Sequence, residues 1–209
     1  SRSPSVGPAR RPALRCHFIC MSDTSTLALF RQSGALLDGH FRLSSGLHSS
    51  GYLQSALVLQ YPDRAETLGR ALADELRDLR ATVVLSPALG GLIIGQEVGR
   101  ALGVRAIFAE RQDGAMVLRR GFSIAPDDRV VIIEDVVTTG GSTRETMAVV
   151  TAAGATTVGA GAIIDRSNGA SNLGVPFRAL ASFAPPVYQP DACPMCAAGQ
   201  PVVKPGSRT

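Results

Sequence analysis

The sequence predicts an α/β fold, a mostly parallel sheet with helices on its faces. Three observations carry this. Short β-branched runs such as Val130-Val131-Ile132-Ile133 recur along the chain, each is followed by a loop and a stretch of helical period, and 22 glycines lie between them. A chain of 209 residues with 45% hydrophobic and 18% charged residues can bury a sizeable core, and its composition excludes collagen, coiled coil and disorder.

Residues 1–20 are rich in Ser, Pro and Arg and lack apolar periodicity, and Met21-Ser22-Asp23-Thr24 looks like a natural start. The segment reads as a disordered leader or added sequence, with an Arg-rich transit peptide as the rival reading. Residues 21–209 read as a single domain. A short helix is expected from Asp23 to Gln32, then short strands and a turn within Phe41 to Tyr52. Pro62 suits a first helical position, and Leu68, Ala71, Leu72, Leu76 and Leu79 follow at 3.6-residue spacing, as a helix packed on a core requires. Strand, loop, helix and strand then succeed each other: Thr82 to Leu85, Ser86 to Gly91, Leu92 to Leu102, and Val104 to Ala109. An arm from Arg111 to Gly121 follows, with Met116 and Phe122 as its packing residues. Beyond it come a strand at Arg129 to Glu134, a helix from about Gly141 to Ala153, and strands near Val158 to Ile164 and Phe177 to Phe183. Ligands of such sheets bind at the carboxyl ends of the strands.

Net charge is +4, but Arg2, Arg10, Arg11 and Arg15 supply the whole excess, so the body is neutral and offers no basic face for nucleic acid. No run of 18 uncharged apolar residues is present, so no membrane span is expected. Four cysteines in a chain this long do not make a disulfide framework, which points to a reducing, cytoplasmic setting. Lys204 is the only lysine. Any phosphate must therefore be held by arginine, backbone N–H groups or hydroxyls.

The segment with the most chemical content runs from Val130 to Thr143. A buried strand ends in the acids Glu134 and Asp135, and Val136-Val137-Thr138-Thr139-Gly140-Gly141-Ser142-Thr143 leads into a helix. Hydroxyls, flexible backbone N–H groups and the positive end of a helix dipole cradle a phosphate without lysine. Carboxylates repel phosphate, but they accept hydrogen bonds from a sugar diol or hold a metal ion. The loop therefore suits a sugar phosphate. Neither a Walker A loop nor a dinucleotide GxGxxG is present.

This run resembles the phosphoribosyl-pyrophosphate signature of the type I phosphoribosyltransferases, and other segments narrow the resemblance to the orotate phosphoribosyltransferases, in a short-loop bacterial subgroup. Phe41 to Ser49 resembles the family's amino-terminal hood segment, Ser86-Pro87-Ala88-Leu89-Gly90-Gly91 its pyrophosphate loop, and Ile163-Ile164-Asp165-Arg166 the segment whose arginine meets the orotate carboxylate. Cys193-Pro194-Met195-Cys196 and Val203-Lys204-Pro205-Gly206-Ser207 are similar to the subgroup's tail. The resemblance implies a type I phosphoribosyltransferase fold with a small amino-terminal hood. It implies transfer of the phosphoribosyl group of 5-phosphoribosyl 1-pyrophosphate to orotate, with Mg²⁺ bridging substrate oxygens and no side chain assigned as a metal ligand. Glu134 and Asp135 would then hold the ribose hydroxyls, and Thr139, Gly140, Gly141, Ser142 and Thr143 the 5′-phosphate. Ala88, Leu89, Gly90, Gly91 and Arg111 would hold the pyrophosphate, and Arg166 the orotate, with backbone near Tyr52 and Thr138. Arg111 and Asp135 carry the catalytic expectation. A homodimer sharing the arm across its interface is implied as well.

The chain departs from many members in having Ser44 and Gly90 where they carry lysines, and Gln112-Asp113-Gly114 in place of a longer Lys- and His-bearing loop. Arg119 and Arg120 are further candidates in the arm. His40 and His48 read as polar loop residues, with proton donation to the leaving group as the sharper alternative. The cysteine pair offers zinc ligands if Cys16 and Cys20 join it. Two other functions remain open at this point: a purine or xanthine phosphoribosyltransferase, and a nucleic-acid-binding regulator that senses phosphoribosyl pyrophosphate on the same fold.

Overall fold

A computed structural model describes residues 21–43 and 45–205. The expected leader, with Cys16 and Cys20, and the departure at Ser44 lie outside the described residues.

Helix α1 (Asp23–Gln32) begins at Ser22, whose hydroxyl accepts from the Ser25 N–H. The chain then forms the antiparallel pair β1 (Leu36–Arg42) and β2 (His48–Leu53), and the short helix α2 (Ala56–Leu59). Helix α3 (Pro62–Leu76) starts on its proline and buries Leu68, Ala71, Leu72 and Leu76 along one stripe, as its period requires.

The main sheet follows: β3 (Val83–Pro87), α4 (Gly91–Leu102), β4 (Arg105–Gln112), β5 (Ala115–Leu118), β6 (Arg129–Val137), α5 (Gly141–Ala152), β7 (Thr156–Asp165) and β8 (Phe177–Ser182). Its order is β5-β4-β3-β6-β7-β8, parallel throughout except for β5, which turns back on β4 as the arm. Alternate residues of β6 serve two cores. Val131 and Ile133 pack with α3 and α4, whereas Val130 and Ile132 pack with Val150 of α5. Both faces of the central strands are covered, which is why they read as unbroken apolar runs. Met116 and Phe122 pack at the foot of the arm as expected, with Phe122 edge-on to Phe108 at 5.0 Å between centroids.

The crossover from β3 leads to β4 on one side, and that from β6 leads to β7 on the other. The strand order therefore reverses between β3 and β6, and their carboxyl ends flank the crevice where open α/β sheets bind ligands.

A second sheet, the hood, joins β1 and β2 to β9 (Val187–Tyr188). Val203 adds a bridge to Phe41, so the carboxyl-terminal part completes what the amino-terminal part begins. The reading of His40 and His48 as polar loop residues is corrected here: they lie on β1 and β2, and both are buried. A register shift between Asp38 and Phe41 makes this possible, since it turns the adjacent His40 and Phe41 both inward. Helix α6 (Pro194–Ala197) carries Cys196, and Cys193 is its N-cap residue.

Candidate functional site

Three loops leave the carboxyl ends of the adjacent strands β3, β6 and β7: residues 88–90, 138–140 and 166–176. The first carries a cis peptide between Ala88 and Leu89, and the Leu89 side chain stands 81% exposed. Gly90 lies directly against Asp135. A Cβ at this position would sit 2.6 Å from Asp135 Oδ1, which gives a steric reason for glycine here.

Strand β6 runs three residues further than expected, because Val136 and Val137 pair with Ile164 and Asp165 of β7. The acids thus sit within the strand instead of at its end. Glu134 is buried, and its Oε1 accepts hydrogen bonds from the hydroxyls of Ser142 (2.6 Å) and Thr143 (3.1 Å). These two hydroxyls anchor the first turn of α5 to the acid. Burial pushes the Glu134 carboxyl up to about 7; the Ser142 and Thr143 hydrogen bonds oppose this, and the neighbouring Asp135 charge adds to it. Burial also raises Asp135. None of the ion pairs among the described residues involves either acid.

A pH prediction follows from Glu134, whose carboxyl titrates near 4.5 in the unfolded chain and near 7 in the folded one. Between these values the folded state holds the proton more tightly, so the stabilisation is fully present below pH 4.5 and is lost as pH rises through 7. Urea unfolding across this window is expected to show falling stability for the free protein and a flatter profile for Glu134→Gln. An equal slope in both proteins would remove Glu134 as the source.

The loop after β6 turns at Gly140, whose φ of +74° favours glycine, and a Cβ there would meet Leu173 Cδ2 at 2.7 Å. The N–H of Arg144 bonds the Gly140 carbonyl, so those of Gly141, Ser142 and Thr143 lie at the open end of α5. Arg144 also braces the loop, donating to the carbonyls of Thr139 (2.6 Å) and Asn172 (3.3 Å). Sequence reasoning missed this residue, since an arginine in a first helical turn has no periodicity to mark it.

At the end of β7 the buried Asp165 accepts from the N–H groups of Ser167 (2.7 Å) and Gly169 (3.3 Å), fixing the turn that carries Arg166. The backbone N–H of Arg166 bonds the Val137 carbonyl at the mouth of the phosphate-type loop. Its Nε is buried without a hydrogen-bond partner among the described residues, and burial lowers the guanidinium pKa. A half-buried guanidinium whose Nε is buried without a partner carries a desolvation cost that a ligand would offset. In the hood, Tyr52 lies on β2 with its ring 5.8 Å from that of Phe41.

The arm is less committed to the crevice. Arg111 donates to the Gly114 carbonyl (2.6 Å) and pairs with Glu145 of α5. Arg120 forms a two-point pair with Glu110, at 2.8 Å for each contact, while Arg119 beside it is exposed.

A loop leading into a helix start, an acid pair with Glu134 buried and Asp135 half-buried, and a second backbone loop facing them across the switch point define a phosphoribosyltransferase, and residues 58–173 match the model of the phosphoribosyl transferase domain. The chain is 54% identical over 188 residues to an orotate phosphoribosyltransferase of Pelotomaculum thermopropionicum, covering 90% of this chain and 99% of that one. It is 50% identical over 189 residues to that of Chlorobaculum parvum, covering 90% and 98%. Among solved structures, the orotate phosphoribosyltransferase of Aeropyrum pernix superposes with a TM-score of 0.61 at 26% identity, over 75% of this chain and 92% of that one. The chain belongs to the orotate phosphoribosyltransferase family.

Proposed function

We propose that the protein transfers the phosphoribosyl group of 5-phosphoribosyl 1-pyrophosphate to orotate, giving orotidine 5′-phosphate and pyrophosphate. The observation that carries this reading is Arg166, a half-buried cation with an unpartnered Nε, one strand from the acid pair and the helix-capped loop. A planar guanidinium matches a carboxylate, and orotate differs from uracil by one carboxylate.

The open N–H groups at the start of α5, with the Thr139 hydroxyl, take the 5′-phosphate. Asp135 takes the ribose hydroxyls, while Glu134 holds the phosphate loop through Ser142 and Thr143. Residues Ala88 to Gly91 face the pyrophosphate, and Tyr52 and Thr138 border the base. The orotate N1 gives up its proton to the departing pyrophosphate or to solvent and bonds ribose C1 as the bond from C1 to the diphosphate oxygen breaks, the bonding electrons leaving with the pyrophosphate. C1 becomes cationic on the way, so placement and charge stabilisation carry the catalysis and no protein nucleophile is required. The two burial-raised acids without a cation partner fit a site that takes Mg²⁺ on substrate oxygens. Asp135 is the side chain that would border the ion there, and the ion would offset charge on the departing pyrophosphate. No helix among the described residues is long and apolar enough to cross a membrane, which accords with a cytoplasmic enzyme. The test is product identity: phosphoribosyl pyrophosphate, orotate and Mg²⁺ are expected to give orotidine 5′-phosphate and pyrophosphate in equal amounts, and transfer to xanthine or adenine in its place would overturn the reading.

Gly140→Val is expected to weaken phosphoribosyl pyrophosphate binding about tenfold or more, since positive φ alone costs an L-residue roughly 1–2 kcal/mol and the added side chain meets Leu173. Calorimetric titration of the substrate checks it; unchanged affinity would place the phosphate elsewhere.

Arg111 is the arm residue we assign to the pyrophosphate. Its pair with Glu145 is half-exposed and therefore cheap to exchange for a diphosphate. Arg111→Ala is expected to lower kcat more than it raises either KM; an unchanged kcat would remove the arm from the mechanism. In a homodimer that shares its arms, mixing Arg111→Ala with Asp135→Asn protein restores activity, because one site per mixed dimer is intact. With subunit exchange confirmed, no recovery would contradict the sharing.

A further inference from the structure

Four side chains that the transfer reaction does not use meet where the hood joins the carboxyl-terminal tail. His40 and His48 are each 5% exposed and Cys193 is 3% exposed, while Cys196 is open to solvent on α6. Both cysteines are free thiols. One nitrogen or sulfur atom from each of the four lies within 4.8 Å of all the others. His40 Nε2 is 2.9 Å from His48 Nδ1, 3.5 Å from Cys193 Sγ and 3.7 Å from Cys196 Sγ, and Cys196 Sγ is 3.3 Å from His48 Nδ1. Zinc–nitrogen bonds of about 2.0–2.1 Å and zinc–sulfur bonds of about 2.3 Å give a tetrahedron with edges of roughly 3.3–3.8 Å, close to most of these separations.

We propose that His40, His48, Cys193 and Cys196 form a structural zinc site that fastens the carboxyl-terminal tail to the hood. The orientation of His40 supports it. Its Nδ1 lies 2.9 Å from the Gln200 carbonyl oxygen, so Nδ1 carries the hydrogen and donates, leaving the Nε2 lone pair aimed into the cluster. A backbone carbonyl behind a ligating imidazole is the usual outer partner of a zinc histidine. Sulfur and imidazole donors in a four-membered set favour zinc over magnesium or calcium, and four protein ligands leave no open position for catalysis. Both thiols bind as thiolates and release their protons to solvent, so the ion and its ligands are neutral together, as a mostly buried cluster requires.

The ligands come from distant parts of the chain, His40 and Cys193 being 153 residues apart. The tail is laid alongside at the same place: the Val203 N–H bonds the His40 carbonyl (2.9 Å), and the Arg42 N–H bonds the Val203 carbonyl (2.8 Å). Two backbone bonds to the exposed Val203 hold the tail weakly on their own. A metal at this point closes the long loop and holds β1 and β2, and with them Tyr52, in one geometry.

The test uses the full chain purified with its thiols reduced. Metal analysis is expected to find about one zinc per chain, as a single four-coordinate site requires. After chelation, which is expected to lower the melting temperature, added Co²⁺ is expected to give the visible bands of tetrahedral cobalt with a thiolate charge-transfer band, and Zn²⁺ to abolish them. Cys193→Ser alters a buried position, so Cys196→Ser, at an exposed one, is the decisive variant. It is expected to lose the charge-transfer intensity of one thiolate and to bind zinc at least tenfold more weakly while its fold, by circular dichroism, persists. Absence of stoichiometric zinc and of the cobalt bands in the reduced wild-type protein would overturn the proposal. Undiminished zinc affinity in Cys196→Ser would do the same, as would a Cys193–Cys196 disulfide that forms equally well in the presence of excess zinc.

Discussion

Asp135→Asn protein is expected to fold normally and to lose nearly all phosphoribosyl transfer, its kcat falling on the order of a hundredfold or more, the scale for removing one preorganised electrostatic contact. Asparagine keeps the shape of the carboxylate and can still meet Gly90, but it cannot accept two ribose hydroxyl bonds as an anion or stabilise a cationic sugar. Folding is expected to survive because burial already disfavours the charge at this position. The neutral amide removes that penalty, so the melting temperature should hold or rise. A variant that melts early and is inactive would speak only of packing; one that melts normally with near-wild-type turnover would remove Asp135 from the site. Steady-state kinetics with both substrates varied, beside a thermal melt, separates these outcomes.

Arg166→Ala is expected to raise the orotate KM by about 10- to 150-fold, the range for a charge-assisted pair of roughly 1.5–3 kcal/mol in a partly dry pocket. The KM for phosphoribosyl pyrophosphate should move far less, since the phosphate and ribose are held from β6 and α5. The variant also has a distinctive stability signature. Arg166 Nε has no hydrogen-bond partner among the described residues, so alanine costs little there and can stabilise the apo state. Lost orotate affinity with unchanged or increased apo stability is the pattern of a residue kept for its ligand. Unchanged orotate affinity would mean another residue reads the carboxylate.

Local signals made most of this site legible in the sequence. The β-branched run of β6 followed by Thr138 to Thr143 is contiguous, so strand, acids, loop and helix start could be read from one stretch. The stripe of Leu68, Leu72 and Leu76 on α3 carries its own period. Elements too short to show a period were missed, as with α2 at four residues and β9 at two. Strand β6 extends past its acids because of pairing with β7, which adjacent residues do not reveal. The role of Glu134 as an anchor for Ser142 and Thr143 likewise needs the helix to fold back over the strand. The clearest gap is the histidine and cysteine cluster. Residue type alone offered Cys16 and Cys20, which lie outside the described residues, as partners, and the fold brings Cys193 and Cys196 to two histidines of the opening hairpin. Nothing in the spacing of His40 and His48 marks them as neighbours, because a bulge in β1 sets their meeting.

The central claim is that one crevice, at the reversal of strand order between β3 and β6, joins a phosphoribosyl donor to a base chosen by its carboxylate. Pyrophosphate release from phosphoribosyl pyrophosphate and Mg²⁺, measured with orotate and with uracil for the wild-type and Arg166→Ala proteins, tests it most directly. The predicted result is a strong wild-type preference for orotate over uracil in kcat/KM that largely collapses in Arg166→Ala through loss of orotate turnover alone. Equal use of orotate and uracil by the wild-type protein, or a preference that survives intact without Arg166, would contradict it.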